Sequence, residues 1–335
     1  MSKLNNYFSS KTPIDRSTYI IAEIGINHEG SIDTCAKMIK TASQSGADAI
    51  KLQTVNAQKS YSKDTESYKL FKASELSRCD TEKMFNYARK LGLEPFTTSG
   101  DLETLEWVDK LNPVAHKISS GLLSCFPFLK YVSKLSKPII LSSGMSDHDE
   151  IDESIKIILR HNKQIILLQC TSQYPCPIKD LHLSTINFFK KKYLIPVGFS
   201  DHSLGIKNSV LAVAAGANVI EKHFTFDPTR NGYDHKISLS GKEFKKMVNE
   251  IKTCELALGN TKKLISNNKV LNFQRCLAVS KKLKKGHKIS LLDLLFLRFN
   301  DNKGLISAKE TEKILGKKLN KDRSEKQVLR WEDLD

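Results

Sequence analysis

A chain of 335 residues with 40% apolar side chains can bury a sizeable core and is long enough for one large domain and a small one. No apolar stretch approaches the ~20 residues needed to span a bilayer, and the opening MSKLNNYFSSKTPIDRS, polar and broken by Pro13, lacks the apolar run of a signal peptide, so a cytoplasmic protein with no membrane partner is expected. The net charge of +16 is concentrated near the end of the chain, where residues 259–335 hold 19 Lys/Arg against 9 Asp/Glu; the run KKLKKGHK at 281–288 has no interleaved aromatics and no nucleic-acid motif accompanies it, which leaves a lysine-rich solvated surface without a nucleic-acid partner.

From about residue 18 to 258, eight short apolar runs alternate with longer amphipathic stretches: Tyr19–Ile24, Ala49–Gln53, Glu94–Thr98, Ala115–Ile118, Ile139–Ser142, Ile165–Gln169, Pro196–Phe199 and Asn218–His223. Several are almost continuously apolar, the pattern of a parallel strand buried on both faces. Between them, Ile32, Cys35, Ala36 and Ile39 mark one helical face over 32–45, with Gly46 as the stop, and Ile151, Ile155, Ile158 and Leu159 mark another over 147–160, with Asp147 as N-cap. A shorter Ala/Val-rich segment, 206–215, ends at Gly216. This rhythm predicts an α/β fold, a (β/α)8 TIM barrel over residues 1–258. An open doubly wound sheet is the alternative, and the absence of GxGxxG after the first strand weighs against it.

The rhythm breaks after residue 258. GNTKKLISNNK opens a polar linker, 259–274, and the apolar runs Cys276–Val279 and Leu291–Leu297 belong to a small domain over 275–335. At about 60 residues such a domain is marginal alone and is expected to dock elsewhere. The seven cysteines (35, 79, 125, 170, 176, 254 and 276) show no CxxC spacing and read mostly as small buried residues; Cys170 has no adjacent base to make it a nucleophile.

A barrel carries its site at the carboxyl ends of its strands, and the polar residues gather there. Strand one ends with Glu23, Asn27 and His28, strand two with Lys51 and Gln53, and strand three with Thr97, Thr98 and Ser99. Strands four and five end with Lys117–Ser120 and Ser142–Ser143, and strand six runs into Cys170–Tyr174. Strand seven ends with Ser200–His202 and strand eight with Glu221–His223. A single strand-end Ser or Thr usually just satisfies a backbone group; eight polar ends in succession are costly to bury without a shared purpose. Lys51 and Lys117 should face one cavity and repel unless an anion bridges them, a phosphate with a carboxylate being suitable; Schiff-base chemistry, which needs one lysine of depressed pKa, is the competing use. His202 and His223, on adjacent strands, can share a divalent cation with open positions, Glu221 sharing the parity of His223; two independently hydrogen-bonded histidines are the plainer alternative. His28, His148 and His182 read as surface residues, and His235, beside Asp234, as intermediate.

Taken in order, AEIGINHEG, KLQT, LSSGM (141–145), CTSQYP, GFSDHSLG and EKHFTFD closely resemble the sialic acid synthase family. RCLAVSKKLKKGHKIS and LRFNDNKGLI resemble that family's C-terminal antifreeze-like (SAF, β-clip) domain, so the resemblance covers nearly the whole chain. It implies condensation of phosphoenolpyruvate with an open-chain amino-sugar aldose, N-acetylmannosamine or a similar one, into a nonulosonic acid, with phosphate lost through C–O cleavage. It implies a domain-swapped homodimer in which the small domain of one subunit covers the barrel mouth of the other. Phosphoenolpyruvate would be held by Lys51, Thr98, Lys117, Ser120, Ser142 and Ser172, and the sugar by Gln53, Tyr174, Asp234 and the partner's copy of residue Arg298. His202 and His223 would bind Mn²⁺, or Mg²⁺ or Co²⁺, as a Lewis acid at the aldehyde oxygen, and Glu23 would position or deprotonate the attacking water unless it serves only as a lysine's ion-pair partner.

Three residues depart from the family pattern: Leu122 stands where many members have Glu, Ser172 replaces a common Asn, and Tyr233 replaces a frequent Pro; the alignment of Arg298 is blurred by a lengthened 299–303. These departures leave open a 2,4-diacetamido-trideoxyhexose acceptor, as for a diacetyllegionaminate or pseudaminate synthase. Two further readings are a metal-dependent aldolase using free pyruvate and a non-catalytic barrel that binds anionic polymers through its basic tail.

Overall fold

The computed structural model describes residues 2–9, 17–259 and 274–335. The chain divides into two compact units, Met1–Gly259 and Asn260–Asp335. Apart from its end residues, the linker expected over 259–274 lies outside the described residues.

In the first unit the eight apolar runs become β1 (Tyr19–Gly25), β2 (Ala49–Thr54), β3 (Glu94–Ser99), β4 (His116–Ile118), β5 (Ile139–Ser142), β6 (Ile165–Cys170), β7 (Val197–Asp201) and β8 (Val219–His223). Each pairs in parallel with the next, and β8 pairs with β1, closing the barrel and leaving none of the free edges that an open doubly wound sheet would have. Local sequence explains where the helices begin. The Ser31 hydroxyl accepts from Thr34 N and starts helix Ile32–Gln44, whose Cys35, Met38, Ile39 and Ala42 are buried. Asp147 and Glu150 form a reciprocal capping box before helix His148–Leu159, and Ser240 and Glu243 do the same before helix Gly241–Leu258. The Ala/Val-rich segment forms helix Lys207–Ala214.

Two apolar layers result. The larger lies between strands and helices, with Ile20, Ala22 and Ile24 of β1 facing Met38, Ile39 and Val248. The smaller fills the barrel itself with Tyr19, Ile21, Ala49, Phe96, Ala115, Ile140, Ile166, Leu168 and Val219. Its floor is closed by Leu4 and Tyr7 from the opening segment, which looks merely polar in sequence. The Tyr7 hydroxyl donates to Asn218 O at 3.1 Å, and Lys3 N donates to Glu94 Oε1 at 2.6 Å.

In the second unit β9 (Cys276–Val279) pairs antiparallel with β10 (Leu294–Leu297). The latter is shorter than the run at 291–297 because residues 291–293 form a 3-10 turn. A repeat unseen in the sequence emerges here. Lys281 pairs with Asp293 at 3.3 Å and Lys321 with Asp333 at 2.8 Å, each Asp accepting from the backbone N–H three residues earlier, at Ser290 and Arg330. Leu277, Val279, Leu283, Ile289, Ile306 and Leu319 are among the residues of its small core. Among the described residues, no helix is long and apolar enough to cross a membrane.

Phe96 is fully buried inside the barrel, where no solvent can fill the space its ring would leave. Phe96→Ala should cost about 3–5 kcal/mol of stability, read as a lowered urea midpoint at unchanged slope.

Candidate active site

Alternate side chains of a strand point to the same face. The residues that fill the lower barrel therefore share parity with those above them: Glu23 on β1, Lys51 on β2, Thr98 on β3, Lys117 on β4, Ser142 on β5, Cys170 on β6, Ser200 on β7, and Glu221 with His223 on β8. All nine are buried. Register sets them side by side, Glu23 opposite both Lys51 and His223, and Thr98 opposite Lys117.

The charged members form one connected group. Lys51 Nζ lies 3.0 Å from Glu23 Oε2 and 3.5 Å from Glu221 Oε1, and Lys117 Nζ lies 3.4 Å from that same Glu221 oxygen. This corrects the inference that the two lysines need an outside anion between them. Glu221 already bridges them, because closure of the barrel brings β8 across from β2 and β4. Burial alone would raise the Glu221 carboxyl, but Lys117 and Lys51 outweigh it and bring it down to about 2. Glu23 goes the other way: burial raises it to about 8, Lys51 opposing and Glu221 adding to the rise. Burial lowers Lys117, against the pull of Glu221, whereas Lys51 is raised because Glu221 and Glu23 together outweigh its burial.

Local backbone makes room for Glu23. The β1–β2 register shifts between Glu23 and Gly25. Gly25 has φ +54°, and a Cβ there would come within 3.0 Å of Glu23 Oε1 and 3.5 Å of Gln53 Oε1. That Gln53 oxygen is buried without a hydrogen-bond partner among the described residues.

On the strands next to the lysines lies a set of hydroxyls. Thr98 Oγ1 and Ser142 Oγ are buried and unpartnered among the described residues. Ser120 Oγ accepts from Gly144 N at 2.9 Å, and Ser172 N donates to Gly144 O at 3.2 Å. A Cβ on Gly144 would sit within 2.5–2.9 Å of Ser172 Oγ, Ser120 Oγ and Cys170 Sγ, so this corner admits only glycine. Hydroxyl and ammonium donors held this way can take an anion's oxygens.

The imidazoles occupy the β7–β8 side, their ring centroids 5.5 Å apart. His202 Nδ1 donates to Thr171 O at 2.8 Å, which turns the lone pair of Nε2 toward the Tyr174 hydroxyl at 3.1 Å and Ser200 Oγ at 3.5 Å. Ser200 gives its single hydroxyl hydrogen to Glu221 Oε1 at 2.9 Å, which sets that carboxylate beside the His202 ring. His223 Nδ1 is buried without a hydrogen bond among the described residues and lies 3.6 Å from Asp234 Oδ2. Burial holds His202 down at about 4 against its Thr171 bond, and burial with repulsion from His202 and Lys51 holds His223 well below the ordinary imidazole range, so both rings are neutral. Two neutral imidazoles, one of them orphaned, fit a divalent cation with open positions. Among the described residues no group of three or more His, Cys, Asp or Glu closes a complete metal site.

Three expectations change. His28 is 1% exposed, its Nδ1 accepting from Gly30 N at 3.1 Å in the turn after β1; the chain folds back over it, where its polar neighbours suggested a surface. His235 is wholly buried. Cys170 does have a base nearby, His202 Nδ1 at 3.7 Å, yet burial pushes its thiol up to about 11 and Thr171 O takes that nitrogen at closer range. Tyr174 is half-exposed and stacks on His202 at 4.2 Å. Leu122 packs on the strand–helix core, and Arg298 belongs to the second unit, directly after β10. The sequence reading missed the bridging role of Glu221 and the buried pair Lys222–Asp201, 3.2 Å apart behind the imidazoles, where Asp201 also accepts from Ser203 N at 2.9 Å and Ser209 Oγ at 2.7 Å. Strand parity was the available signal: it puts Glu221 with the lysines and Lys222 on the opposite face.

The NeuB family profile matches residues 38–263. An uncharacterized protein of Methanocaldococcus jannaschii is 41% identical over 95% of this chain and 94% of its own length. The N,N'-diacetyllegionaminic acid synthase of Campylobacter jejuni is 33% identical over 94% of this chain and 99% of its own. Among solved structures, the N-acetylneuraminic acid (sialic acid) synthetase of Leptospira borgpetersenii, crystallised with citrate, superposes with a TM-score of 0.75 at 33% identity, covering 77% of this chain and 91% of that one. With the match spanning most of the chain and the barrel shared, this protein belongs to the NeuB family.

Proposed function

We propose that the protein is a nonulosonic acid synthase, joining C3 of phosphoenolpyruvate to the aldehyde carbon of an open-chain amino-sugar aldose. The observation that carries the reading is the one cluster at the carboxyl ends of the strands that holds Lys51, Lys117, two neutral imidazoles and hydroxyls without partners among the described residues. Lys51 and Lys117, with Thr98, Ser120, Ser142 and Ser172, bind and orient the phosphate and carboxylate of phosphoenolpyruvate. A divalent cation, Mn²⁺ or in its place Mg²⁺ or Co²⁺, held by His202 and His223, supplies Lewis acidity at the aldehyde oxygen. Gln53, Tyr174 and Asp234 line the acceptor side. As the C–C bond forms, positive character develops at C2 and water adds there. Glu23, on the neighbouring strand, takes a proton from that water and returns it as the aldehyde oxygen becomes a hydroxyl; the C–O bond to phosphate then breaks while the C2 hydroxyl gives its proton to the departing phosphate and becomes the ketone, so that one water is consumed and one phosphate released per product.

The acceptor class follows from the relatives' names, which differ at equal identity: N,N'-diacetyllegionaminic acid for one and N-acetylneuraminic acid for another, both at 33%. These names, with that of a Campylobacter jejuni pseudaminic acid synthase at 36% identity, support an acetamido or diacetamido hexose as the acceptor class. A metal-dependent aldolase acting on free pyruvate is the second reading, and Schiff-base use of Lys117, whose amine burial lowers, is the competing chemistry for that lysine. Exposed apolar side chains ring the barrel mouth on the loops after β5, β6, β7 and β8, at Met145, Ile178, Leu204 and Phe226. An apolar rim around a polar site suits a cover, which we assign to the antifreeze-like domain of a second copy bearing its Arg298.

Phosphate release should require both phosphoenolpyruvate and an acetamido hexose, stop on chelation and return with Mn²⁺, and the product mass should identify the acceptor. No phosphate from any member of a mono- and diacetamido hexose panel, metal present, would sink the synthase reading. Product from pyruvate would establish the aldolase instead, and borohydride trapping at Lys117 the Schiff base. Lys117→Ala should lose about 10²–10³-fold in kcat/KM, and His223→Ala should lose the metal-dependent turnover. Since Glu23 as base must be ionised, kcat/KM should rise tenfold per pH unit below about 8 and level above it, and Glu23→Gln should remove that limb; a falling limb there would make Glu23 an acid. Mixing inactive Lys117→Ala and Arg298→Ala proteins should restore activity if each site draws Arg298 from the other subunit, and a mixture that stays inactive excludes the shared site.

A further inference from the structure

The loop after β8 is tied to the loop after β1 by a set of buried polar side chains that the proposed chemistry does not use. Asn27, fully buried, donates from Nδ2 to Phe224 O at 3.1 Å and to Ser238 Oγ at 2.9 Å, and its Oδ1 accepts from Asp234 N at 3.0 Å. Ser238 Oγ donates to Asp234 O at 2.6 Å, so the Asp234 peptide is gripped on both sides. The next residue, His235, is 0% exposed and uses both ring nitrogens: Nε2 donates to Glu29 Oε1 at 2.8 Å and Nδ1 meets Thr225 Oγ1 at 2.8 Å. Arg230 then takes the other Glu29 oxygen at 2.7 Å while lying over the Phe226 ring at 5.5 Å. Glu29 and Tyr233 hold positive φ, +53° and +48°, conformations that side chains of this kind adopt only when surrounding bonds enforce them.

The bonds converge on one carboxylate. Asp234 is the residue between the Asn27 grip and the His235 ring, and its Oδ2 is aimed at the orphaned His223 Nδ1, 3.6 Å away. A free loop of this length would let that carboxylate wander by ångströms, and misplacement on that scale is costly at a reacting centre. Resting on the reading that Asp234 lies on the acceptor side, we propose that Asn27, Glu29 and His235 are positioning residues: they latch the β8 loop onto the β1 loop, fix Asp234, and so set the affinity for the amino-sugar aldose without touching phosphoenolpyruvate. Glu29 is the keystone, because its two oxygens are shared between His235 and Arg230 and no other described side chain ties both to the β1 loop.

The test compares the full-length protein with Glu29→Ala, His235→Ala and the more conservative His235→Gln. Amide hydrogen exchange across residues 226–237 should be slow in the wild type, faster in both alanine variants, and largely restored in His235→Gln. In steady-state phosphate release with Mn²⁺, KM for N-acetylmannosamine or its diacetamido analogue should rise about tenfold or more in the alanine variants, with KM for phosphoenolpyruvate unchanged. Exchange identical to wild type in both alanine variants overturns the latch. Equal rises in both KM values overturn the specific role, marking general damage instead. Should the wild type release no phosphate with any acceptor, the synthase reading falls, and the exchange measurement decides the latch by itself.

Discussion

Closing eight short strands into a barrel sends every second side chain of each strand to one axis, where space is fixed and water is excluded. In this protein the lower layers of that axis are filled by Tyr19, Phe96, Ile140, Leu168 and their neighbours, and the layer above carries lysines, carboxylates and hydroxyls. Ionised groups stripped of water persist only if they neutralise each other. Glu221 lies against both lysines, at 3.5 and 3.4 Å, and offsets part of their charge, while Glu23 lies 3.0 Å from Lys51. The opposed behaviour of the carboxyls follows. Glu221 meets two cations and stays ionised, whereas Glu23 meets one cation and a competing carboxylate and keeps its proton up to about 8.

That balance divides the barrel mouth into sectors. From β2 round to β6 the inward groups are hydrogen-bond donors, several without a partner among the described residues; β7 and β8 bring Ser200, Glu221 and the imidazole of His223, with that of His202 just past β7; and Glu23 stands on β1 between the two. Unpartnered hydroxyls such as Thr98 and Ser142 carry a desolvation cost that an incoming anion would relieve, and a rigid strand holds them in place meanwhile. Behind the imidazoles, the Lys222–Asp201 pair anchors the start of the β7 loop through Ser203 and Ser209, so the ring of His202 is fixed from the outer face as well as the inner.

Two of the residues that the sequence marks as expected departures from the family pattern lie on the loops above the ring. Ser172 sits against Gly144 in the β6 loop and Tyr233 belongs to the β8 loop beside the His235 ring, 5.9 Å between centroids. Relatives of equal identity carry the names of different sugars.

Much of this was legible in the residues alone. The apolar runs and helical faces are local properties, so the eight strands, the capped helices at 32 and 148, and the barrel could be read directly. Parity along a strand is local too, which is why Lys51, Thr98, Lys117, Ser142 and His223 could be placed at one mouth. What lay beyond reach was anything decided across the closed sheet or between loops. Glu221 is 170 positions from Lys51, and Asn27 is 207 from Asp234. His28 and His235 lie among polar residues in the sequence, yet the folded chain buries both. Side-chain periodicity is fixed by backbone geometry residue by residue, whereas ion pairing, burial and pKa depend on which distant groups share the same low-dielectric space, and only the closed barrel determines that.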